Sequence, residues 1–175
     1  MVAPISPAKK MSNGKDHYWL VDTIANPAAP TVAEINAGLN ITGFLLADWD
    51  ALSASTDKVT LPKVMLETTS TEVNGETTIS AADALLTLQP QAASGADGKK
   101  AYAKVKSGYT GFLVRRQDVL NTSSDAVTAG QFVDVLGVDI TTAIPGRSST
   151  GTDGIYIATV PISITSDEWN VAVAA

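Results

Sequence analysis

The sequence predicts a mainly β protein, an antiparallel β-sandwich or barrel with one short flanking α-helix and a long extended loop. Three observations predict it. In GIYIATVPISIT, Tyr156, Ala158, Val160, Ile162 and Ile164 alternate with Ile157, Thr159, Pro161, Ser163 and Thr165, the period-two spacing of extended chain. Val, Ile and Thr crowd the periodic segments, while Gly, Pro, Asn and Asp punctuate them. Only one stretch, 94–108, carries good helical spacing. The 175 residues fit a single domain, and 45% hydrophobic against 17% charged residues supplies a core and excludes wholesale disorder.

Taken in order, residues 1–16 read as an N-terminal arm with Pro4, Pro7 and Gly14, and 17–175 as one β-domain. HYWLVDTI (17–24) is a first strand, broken by NPAAP (26–30). TVAEINAG (31–38) fits one or two helical turns, capped by Thr31 with Glu34 three residues on and closed by Gly38. LNITGFLLA (39–47) places Leu39, Ile41 and Leu45 on one face, as a strand does.

From Asp48 the chain turns polar and weakly patterned. VTLPKVMLET (59–68) reads as extended, but Pro62 has no N–H for a ladder, which assigns it to an edge strand or an arm. Asn74-Gly75, flanked by Thr, Val and Ile, reads as a two-residue hairpin turn. Residues 48–80 therefore form a long excursion with a hairpin tip, and such loops are usually functional.

ISAADALLTLQP (79–90) fits helix or strand, with Leu85, Leu86 and Leu88 as core candidates. SGADGKKAYAKVKSG (94–108) is the helix: Asp97 stands near its start, Gly108 follows its end, Ala101 and Val105 share a face, and Lys99, Lys100, Lys104 and Lys106 meet water. YTGFLVRR, QFVDVLGVDIT and GIYIATVPISIT are strands, with Phe132, Leu136, Val138 and Ile140 on one face. AIPGRSSTGTDG is a long polar connection. The total is five to seven strands.

Eighteen acidic against 12 basic groups give a formal net charge of −6. That argues against a nucleic-acid binder, which needs a basic patch to neutralise phosphates. The absence of cysteine excludes disulfides, thiolate metal sites and cysteine nucleophiles. The N-terminus lacks the charged and apolar pattern of a secretory signal, and no apolar run approaches the roughly 18 residues of a membrane span.

No enzyme motif emerges. His17 is the only histidine; beside a terminal arm it is a poor base, and a surface or half-buried histidine is the default reading. Asp48 and Asp50 bracket Trp49, most simply as a polar turn around a partly buried indole. Gly108 and Gly111 match a phosphate-clamping GxxG, but a strand and not a helix follows. GRSSTGTDG lacks the lysine and context of a phosphate loop. No catalytic residue, cofactor or metal ligand is assigned.

PTVAEINAG (30–38), GYTGFLVRR (108–116) and AGQFVDVLGV (129–138), in this order behind a proline-bearing arm, resemble the major tail (tail tube) proteins of long-tailed, siphovirus-type bacteriophages, particularly those infecting actinobacteria. The resemblance spans nearly the whole chain, without the extra C-terminal immunoglobulin-like domain that some of these proteins carry. It implies a virion structural protein, made in the host cytoplasm, that forms hexameric rings. The rings stack into a tube whose joined sheets line a channel for DNA ejection. It implies other tail proteins as partners (tape measure, tail terminator, distal tail), no specific DNA binding and no reaction. Other structural virion components, an injection-system tube or capsid decoration protein, and a β-sandwich binding module are the alternatives.

Within that reading the assembly contacts fall on Trp49, Pro62, Met65, Asn74 and Gly75 of the long loop and on Arg115 and Arg116. Successive strand residues face opposite ways, so one arginine serves its own chain while the other meets an acidic group of an adjoining subunit. Asp118, Asp134, Asp139 and Glu67 are the candidate acceptors, and Asp134, Asp139 and Glu67 also the candidates for lumen charge. Two plain surface arginines at a strand end remain an equal alternative.

Overall fold

The computed structural model describes residues 15–46, 52–66, 68–87, 97–117, 126–148 and 154–175. The first strand, β1 (His17–Val21), is buried along its whole length because it lies inside a sheet covered on both faces. Tyr18 and Leu20 point into one core, Trp19 and Val21 into the other. This explains a run too uniformly apolar for a half-exposed strand.

Helix α1 (Val32–Ala37) forms at the predicted cap. The Thr31 hydroxyl accepts from the Glu34 N–H at 3.3 Å, while Glu34 Oε2 accepts from the Thr31 N–H at 2.8 Å. These reciprocal bonds satisfy donors that a helix start leaves orphaned. Glu34 Oε1 also accepts from the Ala25 N–H at 2.8 Å, tying the helix to the loop after β1.

The strand expected over 39–47 is not formed beyond β2 (Leu39–Asn40); a single 3-10 turn occupies Thr42–Phe44. The reason is local competition by side chains. Asn40 Oδ1 accepts from the Thr42 N–H at 3.0 Å, and Thr42 Oγ1 takes the Tyr18 N–H at 2.8 Å. Ile41 is buried all the same, and Leu45 packs on the same core.

Next come β3 (Leu52–Thr60), β4 (Glu72–Ala81) and β5 (Ala84–Thr87). The segment of weak patterning is thus a strand, and the ambiguous 79–90 resolves as extended chain. Leu86 is buried; Leu88 lies outside the described residues. Helix α2 (Asp97–Val105) follows, with Ala101 and Val105 buried on one face. Behind it Gly108 adopts φ +98°, a conformation that disfavours any side chain, and a Cβ there would meet the Thr141 carbonyl oxygen at 3.0 Å.

Strands β6 (Tyr109–Arg116), β7 (Phe132–Ile140), β8 (Ile144–Arg147), β9 (Tyr156–Val160) and β10 (Ile162–Ala172) complete the described chain. Among the described residues there are ten strands against the expected five to seven; one predicted run divides and one predicted connection contains a strand. The alternating run 156–165 is two strands, since Pro161 cannot donate to a ladder and the chain crosses from one sheet to another there. From Ala158 its alternation survives the crossing, with Ala158, Val160, Ile162 and Ile164 facing one core, whereas Tyr156, expected on that face, is exposed and Ile157 is buried. The polar connection 143–154 contains β8, paired with β9.

A five-stranded antiparallel sheet of order β10-β7-β6-β1-β2 carries both cores. The larger core lies between it, the three-stranded sheet β5-β9-β8 and α2. On the opposite face, Ile35 of α1, Val127 and Val173 cover Trp19, Val114, Val133 and Val135. The β3–β4 hairpin forms a third, separate sheet. His17 is 1% exposed and stacks on Trp19 with ring centroids 5.6 Å apart, so the expectation of a surface or half-buried histidine is corrected.

Candidate assembly surface

The two arginines end β6 and point to opposite faces of the five-stranded sheet. Arg115 stands directly across from Asp134 of β7. Its Nε donates to Asp134 Oδ2 at 3.0 Å, and Nη2 lies 2.9 Å from the same oxygen. Asp134 Oδ1 accepts from the Asn170 N–H at 2.8 Å, and the Arg115 guanidinium lies 5.8 Å from the Trp169 ring. One carboxylate thereby holds the end of β6 to the end of β10. Asn170 has a positive φ of 52°, tolerable for asparagine, at the irregular register that brings its N–H round to Asp134.

Arg116 is 1% exposed. Its guanidinium lies 5.1 Å from the Trp19 ring, and Nη1 donates to the Ala126 carbonyl at 3.0 Å and to Gln131 Oε1 at 3.1 Å. Arginine tolerates such burial because its weakly hydrated, planar head stacks and donates at once. The adjacent pair has an intramolecular explanation, one arginine for each face of the sheet. Sequence reasoning supplied the opposite facing, but it placed Asp134 among acceptors on an adjoining subunit, whereas Arg115 reaches it within the chain; the covering of Arg116 came from loop residues farther along the chain.

The long excursion is a hairpin, with its reversal elsewhere than expected. Strand β4 runs straight through Asn74-Gly75, and Asn74 pairs with Lys58. Between the pairs Thr56↔Thr77 and Lys58↔Asn74 the ladder takes two steps on β3 and three on β4, a bulge opposite Asp57. Gly75 lies in it, where a Cβ would stand 3.1 Å from the Asp57 carbonyl oxygen. The chain reverses over 61–71, closed by the Leu61 N–H on the Thr71 carbonyl at 2.9 Å. Paired hydroxyls, Ser53 with Ser80 at 2.9 Å and Thr56 with Thr77 at 2.8 Å, favour this longer register over a tight Asn-Gly turn.

Both hairpin strands are solvent-exposed almost throughout. Pro62 lies in the reversal beside exposed apolar side chains: Val64 is 64% exposed, Met65 105% and Leu66 95%. Strand β10 is an outer strand of the five-stranded sheet, eleven residues long and mostly exposed, with Trp169 41% exposed. A long exposed edge and an apolar tip are features that lone soluble domains avoid. Leu61, Val64, Leu66 and Trp169 were missed as site residues; an isolated tryptophan in SDEWN and the cluster VML beside Pro62 were the available signals.

Asp139 is exposed and accepts from Thr110 Oγ1 at 3.1 Å, whereas Asp134 is 8% exposed and neutralised by Arg115. Trp49, Glu67 and Asp118 lie outside the described residues. Burial pushes the Tyr109 hydroxyl pKa up, with the Asp22 charge adding to it, so this phenol stays protonated. Lys104 pairs with Asp22 and lies 5.3 Å from the Tyr109 ring, shielding the end of α2. Among the described residues no three His, Cys, Asp or Glu side chains gather as metal ligands, and no helix is long and apolar enough to cross a membrane.

Two packed cores, an exposed hairpin and an open outer strand define a mainly β structural domain with apolar surface left outside its own cores. Over residues 3–175 the chain matches the family described as phage tail tube protein, and it belongs to that family. It is a structural component of the virion, a tail protein that assembles with other tail proteins into a tube, and its family is not one of enzymes. Among curated proteins none matches the chain.

Proposed function

We propose that six copies close into a ring, that rings stack into the tube of a long-tailed phage of actinobacteria, and that the lumen conducts the genome during ejection. The β3–β4 hairpin carries this reading. It projects exposed hydroxyl-rich strands and an exposed apolar tip, a combination suited to a surface awaiting another copy. The outer edge of β10, which ends the five-stranded sheet and has β4 close to part of it, supplies the second need, a strand edge that a neighbouring subunit can use.

Charge suits the conduit. Six copies at −6 sum to about −36 per ring, and a lumen of that sign repels phosphates so that DNA slides without adhering. Asp139 and Glu67 are the lumen candidates; Asp134 contributes less because Arg115 neutralises it. Tape-measure, terminator and distal tail proteins would meet the lumen and the two ends.

Electron microscopy of the concentrated protein with sedimentation velocity tests this. Hollow tubes with six-fold end views are expected. A monomer at every concentration, or rings of another order, would overturn the hexameric reading.

A further inference from the structure

The base of the hairpin and the outer strand enclose a cleft of roughly 500 Å³, within the range of about 300–1,000 Å³ typical of sites that enclose a ligand. Leu52, Ser53, Ala54, Thr77 and Ile79 line it from the hairpin, and Trp169, Asp167 and Arg115 from the five-stranded sheet. Leu52, Ala54 and Ile79 share one face of the hairpin, since Ala54 pairs with Ile79 and Leu52 is two residues away. Trp169 is held in place from both ends: its Nε1 donates to Asp167 Oδ2, and Arg115 lies against its ring. An indole fixed beside a partly apolar cleft is the arrangement of a binding hot spot.

We propose that this cleft receives the hairpin tip of a second copy of the chain, with Met65 and Leu66 entering beside Trp169. The inference rests on the tube reading only in that copies of the chain meet. Size and reach identify the occupant. Val64, Met65 and Leu66 are the most exposed large aliphatic side chains described, and they are slender enough to enter a narrow cleft.

Reach excludes the chain's own tip. The cleft lies at the base of the same hairpin, and from Ala54 to Leu61 an extended strand covers roughly 24 Å at about 3.4 Å per residue. Tip and cleft are thus different patches at opposite ends of one rigid element. Such a head-to-tail contact repeats indefinitely, from one copy to the next, and fits a tube that grows by addition.

The chain has no cysteine, so introduced thiols report contacts cleanly. Met65→Cys and Ala54→Cys in one chain, oxidised under assembling conditions, are expected to yield a ladder of disulfide-linked multimers on a non-reducing gel. It should exceed by about tenfold that from a control pairing Met65→Cys with Ala103→Cys on α2. Adding Trp169→Ala to the first pair should reduce the ladder about tenfold, the loss expected of a central aromatic anchor. All these positions are exposed or partly exposed, and thermal melting verifies that each variant folds.

A ladder no stronger than the control overturns the docking. If tubes are nevertheless seen by microscopy, the cleft has another occupant and the tube reading stands; if neither tubes nor ladder form, both fall. A ladder without six-fold rings supports the docking and overturns the hexamer.

Discussion

Arg115 and Asp134 face each other across neighbouring strands and close an ion pair at 2.9 Å, with side chains 12% and 11% exposed. Because Asp134 also takes the Asn170 N–H, the pair fastens the outer strand to the interior of the sheet. Removing one partner leaves a charge largely covered and unmatched. Asp134→Ala is expected to destabilise the fold by about 3 kcal/mol in urea unfolding, and more than the double variant Arg115→Met with Asp134→Ala. Additive effects of the two single changes would show that the pair is not coupled.

Arg116 differs because it stacks as well as donates. Arg116→Lys keeps the charge but loses the planar contact with Trp19 and the geometry of the bonds to Ala126 and Gln131. Both Lys and Ala substitutions should cost about 2–4 kcal/mol, with near-ultraviolet circular dichroism of the buried indole altered in each. A lysine variant as stable as the parent would reduce Arg116 to a simple charge.

Shortening the hairpin separates folding from assembly. Thr60 and Glu72 are partners across β3 and β4, so replacing 61–71 by Asn-Gly joins them through a two-residue turn of suitable twist. The melting temperature should stay within a few degrees, since the described side chains of this segment are exposed. Tube formation should disappear. Tubes from the shortened protein would remove the tip from the assembly.

The helix cap gives a pH dependence of defined sign. Hydrogen bonds from the Ala25 and Thr31 backbone N–H groups hold the Glu34 carboxyl below its ordinary value of 4.5. A group with a depressed folded pKa contributes stability that is present above its unfolded pKa and lost as pH falls through the folded one. Glu34→Gln should therefore be less stable than the parent at about pH 7, and the difference should shrink as pH falls below the ordinary carboxyl range. A constant difference across that range would mean that charge has no part in the cap.

Gly108 tests backbone conformation alone. Its φ is +98°, and the Cβ of an alanine there would stand 3.0 Å from the Thr141 carbonyl oxygen. Gly108→Ala should therefore destabilise by about 1–3 kcal/mol in thermal or urea unfolding. An unchanged melting temperature would mean that the turn after α2 relaxes freely.

What could be read from the chain was whatever short-range chemistry fixes. The Thr31–Glu34 cap, the Gly108 stop, the Ala101–Val105 face and the alternation from Ala158 to Ile164 each depend on residues a few positions apart, and each appears as expected. The tail tube family was legible for the same reason, through short segments in a fixed order. Tertiary structure decided what depends on partners distant in sequence. Whether Asn74-Gly75 turns or runs straight was settled by hydroxyl pairs between strands some twenty residues apart. His17 and Arg116 are buried because Trp19, Ala126 and Gln131 meet around them, and Trp169 gains its cleft only when the hairpin base folds against β10. Local spacing carries none of that information, since a side chain's burial is set by whatever the fold brings to it from elsewhere.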